Sequence, residues 1–419
     1  MQLADCRCLL KTRGDFSLWT IHGKLPYILQ WVQFIVAPVS PMTRLILTTL
    51  LLLASTAWAG PFEDAIAASN RKDYATALRL FRPMAEQGYS DAQSNLGLMY
   101  EEGKGVVQDY VEALKWYRLA AAQGQAQAQY NLGLMYDQGK GVGQDDVEAL
   151  KWFRLAATQG LPQAQYNLGL MYDQGKGVMQ NYAEAVEWFR LAAAQRQPLA
   201  QYNLGLMYEK GKGVRQDYAE AAKWYKFAAM QGHVPAQYNL GLIYDHGKGV
   251  AQDFASAAKW YRLAAVEGQA SAQYKLGLMY DEGKGVAQDF SEAVKWYRLA
   301  AAQGIAPAQS NLGLMFGRGK GVELDYGEAA KWYRRAAMQG HAPAQYNLGS
   351  IYGKGEGVQV DVFRAYLWFN LAAANGDTGA VKARDDAASN MTRQQIVQVQ
   401  KLARECLERG YKGCDRFLR

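Results

Sequence analysis

Apolar positions recur along most of this chain with two periods, one inside the other. The short period is helical. In residues 128–136, Ala128, Leu132, Met135 and Tyr136 fall on one stripe at helical spacing, while Tyr130 and Leu134 lie on the opposite side. A segment apolar nearly all round is expected to sit between neighbours. The next segment, from Asp145 to Gln159, gathers Ala149, Trp152, Phe153, Ala156 and Ala157 on one face and turns Lys151 and Arg154 away. It predicts a one-sided outer helix. Asp-x-x-Glu at its start, as in Asp145/Glu148 and Asp217/Glu220, reads as a capping box: the Asp side chain accepts an orphan amide and the Glu reaches back. A glycine such as Gly160 or Gly232 closes seven units, where a left-handed residue is expected. Arg196 takes that place once and predicts a slightly loosened turn.

The long period is 36 residues. It aligns Trp116, Trp152, Trp188, Trp224, Trp260, Trp296, Trp332 and Trp368 without a gap, together with a Gly-x-Gly-Val loop in every unit. Eight units follow: 89–124, 125–160, 161–196, 197–232, 233–268, 269–304, 305–340 and 341–376. A two-helix unit cannot bury its aromatics alone, whereas stacked units give each Trp a neighbour. The expected fold is all-α, a right-handed superhelical α-solenoid of two-helix, 36-residue repeats with the tryptophans as anchors. Residues 60–88 read as a degenerate N-terminal repeat, with Leu80 in the Trp position. Residues 377–419 read as capping helices, the last carrying a capping box at Thr392 and Gln395 and a stripe of Ile396, Val399, Leu402, Ala403 and Cys406.

The N-terminal residues break the pattern. Arg44, an apolar run from Leu45 to Ala54 and Ala57-x-Ala59 have the layout of a secretory signal peptide over 42–59, starting at Met42. Its apolar run is about half of what a spanning helix needs. Residues 1–41 do not fit that scheme and are expected to precede the true start. The alternative is a paired membrane anchor from 25–39 and 45–59, for which Gln30, Gln33 and Pro38 make a poor first span. The expectation is a periplasmic or secreted chain with no stable membrane insertion after cleavage. In an oxidising compartment Cys406 and Cys414 could close one disulfide, the alternative being two free thiols.

Charge changes the picture little. The 419 residues carry a formal +7, and without 1–59 there remain 41 Lys+Arg against 37 Asp+Glu, a net +4. This weak, mixed excess argues against nucleic acid, which asks for a concentrated basic face.

The unit Ala-x-x-x-Leu-Gly-x-x-Tyr, Gly-x-Gly-Val-x-x-Asp, Ala-x-x-Trp-x-x-x-Ala-Ala-x-x-Gly closely resembles the Sel-one-like repeat (SLR), a relative of the tetratricopeptide repeat (TPR). Residues 128–160 match it at Ala128, Leu132, Gly133, Tyr136, Gly139, Gly141, Val142, Asp145, Ala149, Trp152, Ala156, Ala157 and Gly160. Gln129 stands where an ordinary TPR has its Trp, which favours the SLR assignment. Departures are local, such as Ser256 for the capping Glu and Lys275 for the Asn of the other units. The resemblance implies a scaffold that binds proteins or peptides, and a monomer is expected.

Catalysis needs one constellation of distinct roles, whereas a repeat supplies the same residues eight times. No His/Cys spacing suits a metal, and no cofactor or catalytic residue is expected. Gly-x5-Gly-Lys-Gly has the wrong spacing and no hydroxyl for a phosphate loop, so Lys140, Lys176 and their equivalents read as solvated loop tips. Ser-x-x-Lys at Ser69/Lys72 and Ser256/Lys259 lacks the companions a β-lactamase needs, which leaves an envelope hydrolase or a glycan binder as the alternative class. The candidate partner-binding residues are Tyr130, Asn131, Tyr166, Asn167, Tyr202, Asn203, Tyr238 and Asn239. In related TPR proteins an inner-helix Asn clamps peptide backbone, and the resemblance implies the same role here. The competing reading has Asn satisfying a neighbouring carbonyl and Tyr packing between units. Variable positions such as Gln125, Leu161, His233 and His341 offer a second, individualised edge.

Overall fold

A computed structural model describes residues 60–411 and 414. The expected upstream segment 1–41 and signal peptide 42–59 lie outside the described residues. Among the described residues the chain is all-α, twenty helices in consecutive pairs with no strand, an α-solenoid of two-helix repeats. It divides into two units, one through Ala120 and one from Ala121 onward.

The first unit holds α1 (Pro61–Asn70), α2 (Tyr74–Glu86), α3 (Ser90–Glu102) and most of α4 (Tyr110–Ala122). Ala65, Ala68, Ala77, Phe81, Ala85, Ala92, Leu96 and Met99 form its core. Leu80 and Trp116 pack on the edge of that core rather than inside it.

The second unit repeats one pattern. Its pairs are α5 (Ala126–Gln138) with α6 (Asp146–Thr158), α7 (Pro162–Gln174) with α8 (Tyr182–Ala194), α9 (Pro198–Lys210) with α10 (Tyr218–Met230), and α11 (Val234–His246) with α12 (Phe254–Val266). Then come α13 (Ala270–Glu282) with α14 (Phe290–Ala302), α15 (Ala306–Arg318) with α16 (Tyr326–Ala337), α17 (Ala342–Lys354) with α18 (Val362–Ala374), and the terminal α19 (Thr378–Ala388) and α20 (Arg393–Glu408).

The deepest anchor is not the expected one. Seven of the eight tryptophans are only half-buried, and Trp368 alone is fully buried. The aromatic that follows each Trp fills the core instead, as Tyr117, Phe153, Phe189, Tyr225, Tyr261 and Tyr297 do, each at most 2% exposed. The reason is a glycine on the facing helix. A Cβ at Gly133 would stand 2.7 Å from the Phe153 ring, and one at Gly205 equally close to Tyr225, so these rings lie against bare helix backbone. Trp188 packs along the rim of the core that α6 and α7 share.

The loop glycines serve two purposes. Gly175 closes α7 in the left-handed region at φ 72°, and a Cβ on Gly177 would lie 2.2 Å from the Asp146 carbonyl. The loop therefore crosses the start of the preceding outer helix at backbone contact distance.

Three expectations about helix ends need correction or completion. At the outer-helix starts Asp145, Asn181 and Asp217 each accept two backbone amides, yet the Glu does not reach back. The cap's own N–H already donates to a carbonyl of the preceding helix, as Asp145 does to Tyr136 at 3.0 Å, and Glu148 turns to Lys151 at 3.2 Å. Only Thr392 and Gln395 at α20 close a full capping box among the described residues. At Arg196 the turn is not loosened. Its N–H bonds Ala193 at 3.0 Å, as that of Gly232 bonds Ala229, and Arg196 takes the left-handed conformation at φ 64°.

At the C-terminal end Val399, Ala403 and Cys406 of α20 are buried against Tyr366, Leu367, Trp368 and Leu371. Ile396 and Leu402 are partly buried beside them. Cys406 and Cys414 are joined in a disulfide with Cα atoms 5.5 Å apart.

Candidate partner-binding face

The first helices α5, α7, α9 and α11 carry the Tyr and Asn rows, all partly buried. Tyr130, Tyr166, Tyr202 and Tyr238 are half-buried because each ring leans on the core aromatic of its own pair. Centroid distances are 5.8 Å to Phe153, 5.9 Å to Phe189, 5.7 Å to Tyr225 and 5.8 Å to Tyr261.

The hydroxyls meet the next repeat. Asn203 donates to the Tyr166 hydroxyl at 3.3 Å, Asn167 hydrogen-bonds Tyr130, and Asn239 hydrogen-bonds Tyr202. Burial raises all three phenol pKa values, and the Asn contact partly offsets it. Tyr238 finds Ser271 instead. Asn131 accepts from the Gln127 amide at 3.0 Å. Three of the four tyrosines singled out from the sequence, Tyr130, Tyr166 and Tyr202, thus meet the Asn of the next repeat.

Beneath this face lies a polar layer that sequence reasoning missed. Gln129, Gln165, Gln201 and Gln237 are 4–5% exposed, and each donates to an alanine carbonyl eight residues back, Gln129 to Ala121 at 3.2 Å and Gln201 to Ala193 at 3.1 Å. Gln159 donates to Gln129 at 2.7 Å within the same pair, while the Gln129–Ala121 bond reaches the preceding one. The available signal was a Gln repeated in register inside an apolar stripe. A second missed pairing joins core to rim: Tyr261 donates to Asp245 at 3.0 Å and Tyr297 to Asp281 at 3.2 Å. Burial, with the carboxylate beside them, drives these phenol pKa values far up. Lys275, which replaces an Asn, pairs with Asp245 at 3.4 Å.

The loop lysines are not simply solvated tips. Lys212, Lys248 and Lys320 stand over the rings of Tyr182, Tyr218 and Phe290 at 4.7, 5.5 and 4.6 Å, while Lys176 reaches Asp137 at 3.6 Å. Ser256 donates to Asp253 at 2.6 Å, a role in helix capping. Among the described residues no group of three or more His, Cys, Asp or Glu is placed to hold a metal ion, and no helix is long and apolar enough to cross a membrane.

The Sel1 repeat family matches this chain over nine segments, 71–89, 90–125, 126–161, 162–196, 198–233, 234–268, 270–305, 306–341 and 342–377. The chain belongs to the Sel1 repeat family. Segment 71–89 is a partial match within the degenerate first repeat. Two solved Sel1-type structures are similar over most of their length. One is a protective antigen of uropathogenic Escherichia coli strains with an SLR fold, 36% identical, covering 81% of each chain at a TM-score of 0.57. The other is a Sel1 repeat protein from Oxalobacter formigenes, also 36% identical, covering 73% of this chain and 88% of its own at a TM-score of 0.55. No curated protein matches the chain. Sel1 repeat proteins generally mediate protein–protein interaction, and the repeat is generally a non-enzymatic scaffold.

Proposed function

We propose that this Sel1 repeat protein is a scaffold of the cell envelope or secreted space that binds proteins or peptides on the Tyr/Asn face and carries out no chemistry of its own. The observation that carries the reading is the face itself. Partly buried phenols followed by an Asn recur through the four repeats from 125 to 268, which suits an extended ligand whose backbone offers donors and acceptors at regular intervals. The charge segment at Arg44, the apolar run after it and Ala57-x-Ala59 support export.

Partner retention from an envelope extract tests the binding reading. An Asn203→Ala/Asn239→Ala variant with an unchanged melting curve is expected to lose the retained partner. Undiminished retention would show that this face is not used. Export is tested by intact mass, which is expected to correspond to a chain beginning at Gly60. A chain that keeps residues 1–41 would overturn the signal-peptide reading.

A further inference from the structure

In an array this regular, positions that depart from the repeat are informative, and three of them line one cavity. Arg196 stands where the seven other units have Gly, Phe227 where six have Leu, and Met230 where four have Ala. With Ala193, Ala194, Gln201, Trp224 and Gln231 they line a half-open cavity of about 390 Å³ between α8 and α10.

Its walls are apolar and its cation is uncommitted. Trp224 and Phe227 meet edge to face at 5.7 Å, with Phe227 44% and Met230 68% exposed. The two glutamines spend their amides on each other, on the Ala193 carbonyl and on the Phe227 carbonyl. Arg196 forms no ion pair among the described residues, in contrast to Arg190 six residues earlier, which pairs with Glu187 at 2.6 Å. Arg196 also holds its place in the left-handed region, a strain that Gly avoids elsewhere in the array.

We propose that this cavity binds an apolar side chain carried next to a carboxylate on a partner peptide. The side chain rests on Trp224, Phe227 and Met230, and the carboxylate meets the Arg196 guanidinium. Charge complementarity selects the anion. The volume, at the low end of ligand pockets, fits one or two side chains. This site is built mainly from α8, α10 and the turn at Arg196, and its proposed ligand contacts, Arg196, Trp224, Phe227 and Met230, include none of the Tyr/Asn residues.

Reversion to the residues of neighbouring repeats gives fold-compatible variants: Arg196→Gly, Phe227→Leu and Met230→Ala. The readout is the methyl NMR signal of Met230 in the full chain, assigned by its loss in Met230→Leu. N-acetyl-phenylalanine is expected to shift that signal while the more distant methionines stay put. N-acetyl-phenylalaninamide is expected to bind about three- to tenfold more weakly. Arg196→Gly should erase that acid-over-amide preference, and Phe227→Leu should weaken both probes. N-acetyl-Phe-Asp-amide distinguishes the source of the carboxylate: binding equal to the free acid supports a side-chain carboxylate, and binding no better than the amide supports a chain terminus. Equal affinity for acid and amide, a preference that survives Arg196→Gly, or no shift of Met230 at the solubility limit of the acid would each overturn the proposal.

Discussion

Trp224 and Tyr225 are neighbours in sequence with different energetic roles. Tyr225 is fully buried against Gly205, whereas Trp224 is half-buried on the rim and its indole N–H has no hydrogen-bond partner. Tyr225→Ala is therefore expected to cost roughly 3–5 kcal/mol and Trp224→Ala roughly 1–3 kcal/mol. Urea melts of the two variants check the order, and a larger loss for the Trp variant would contradict this account of the core. Arg196→Gly is expected to go the other way. A Cβ at the equivalent Gly160 or Gly232 meets nothing within 4 Å, so backbone conformation rather than space disfavours a side chain there. The same melt should show a gain of about 1 kcal/mol. Retaining the Arg despite that cost is consistent with a task other than stability.

Among the elements, the starts of the first helices carry a cap whose state depends on pH. His233 and His341 accept the N–H of Ala236 and Ala344 through Nδ1, at 3.2 and 3.4 Å, which requires that nitrogen to be unprotonated. Burial holds both imidazole pKa values below the ordinary 6.5. In the window between the lowered folded value and 6.5 the unfolded chain binds more protons. Stability is then fully present above 6.5 and falls as pH drops through the window. Gln125 and Gln197 make the same cap without titrating. The double variant His233→Gln/His341→Gln is expected to melt like the parent at pH 8 and to lose less stability on going to pH 5. Parallel pH profiles would show that these caps do not govern the response.

At the scale of the molecule, repetition made the fold legible because each ambiguous stripe was read eight times in register. The same repetition could not say which of two adjacent aromatics turns inward. That depends on the glycine of the facing helix, and one residue step rotates a helical position by only about 100°. Nor could it show Gln129 buried, since the carbonyl that satisfies it belongs to the preceding helix end. The Glu of Asp-x-x-Glu was lost to a Lys three residues on. The Tyr and Asn rows were visible as rows, but their bonding across repeats needed the inter-repeat geometry.

That geometry also sets how damage spreads. In a repeat array each pair leans on its neighbours, so removing an end is expected to loosen the adjacent pair and spare distant ones. Here α20 covers Tyr366, Leu367, Trp368 and Leu371, donates from Gln400 to the Tyr366 hydroxyl at 3.0 Å, and is tied by the Cys406–Cys414 disulfide. A chain ending at Met391 is expected to lose amide-exchange protection in α17 and α18 while α5 to α14 keep theirs. Reduction of the disulfide in the full chain should give a weaker form of the same effect, about 2–3 kcal/mol for so short a closed segment. Exchange measured by mass spectrometry separates the outcomes. Protection lost along the whole array would mean that the repeats fold as one cooperative body, and the nearest-neighbour description would fail.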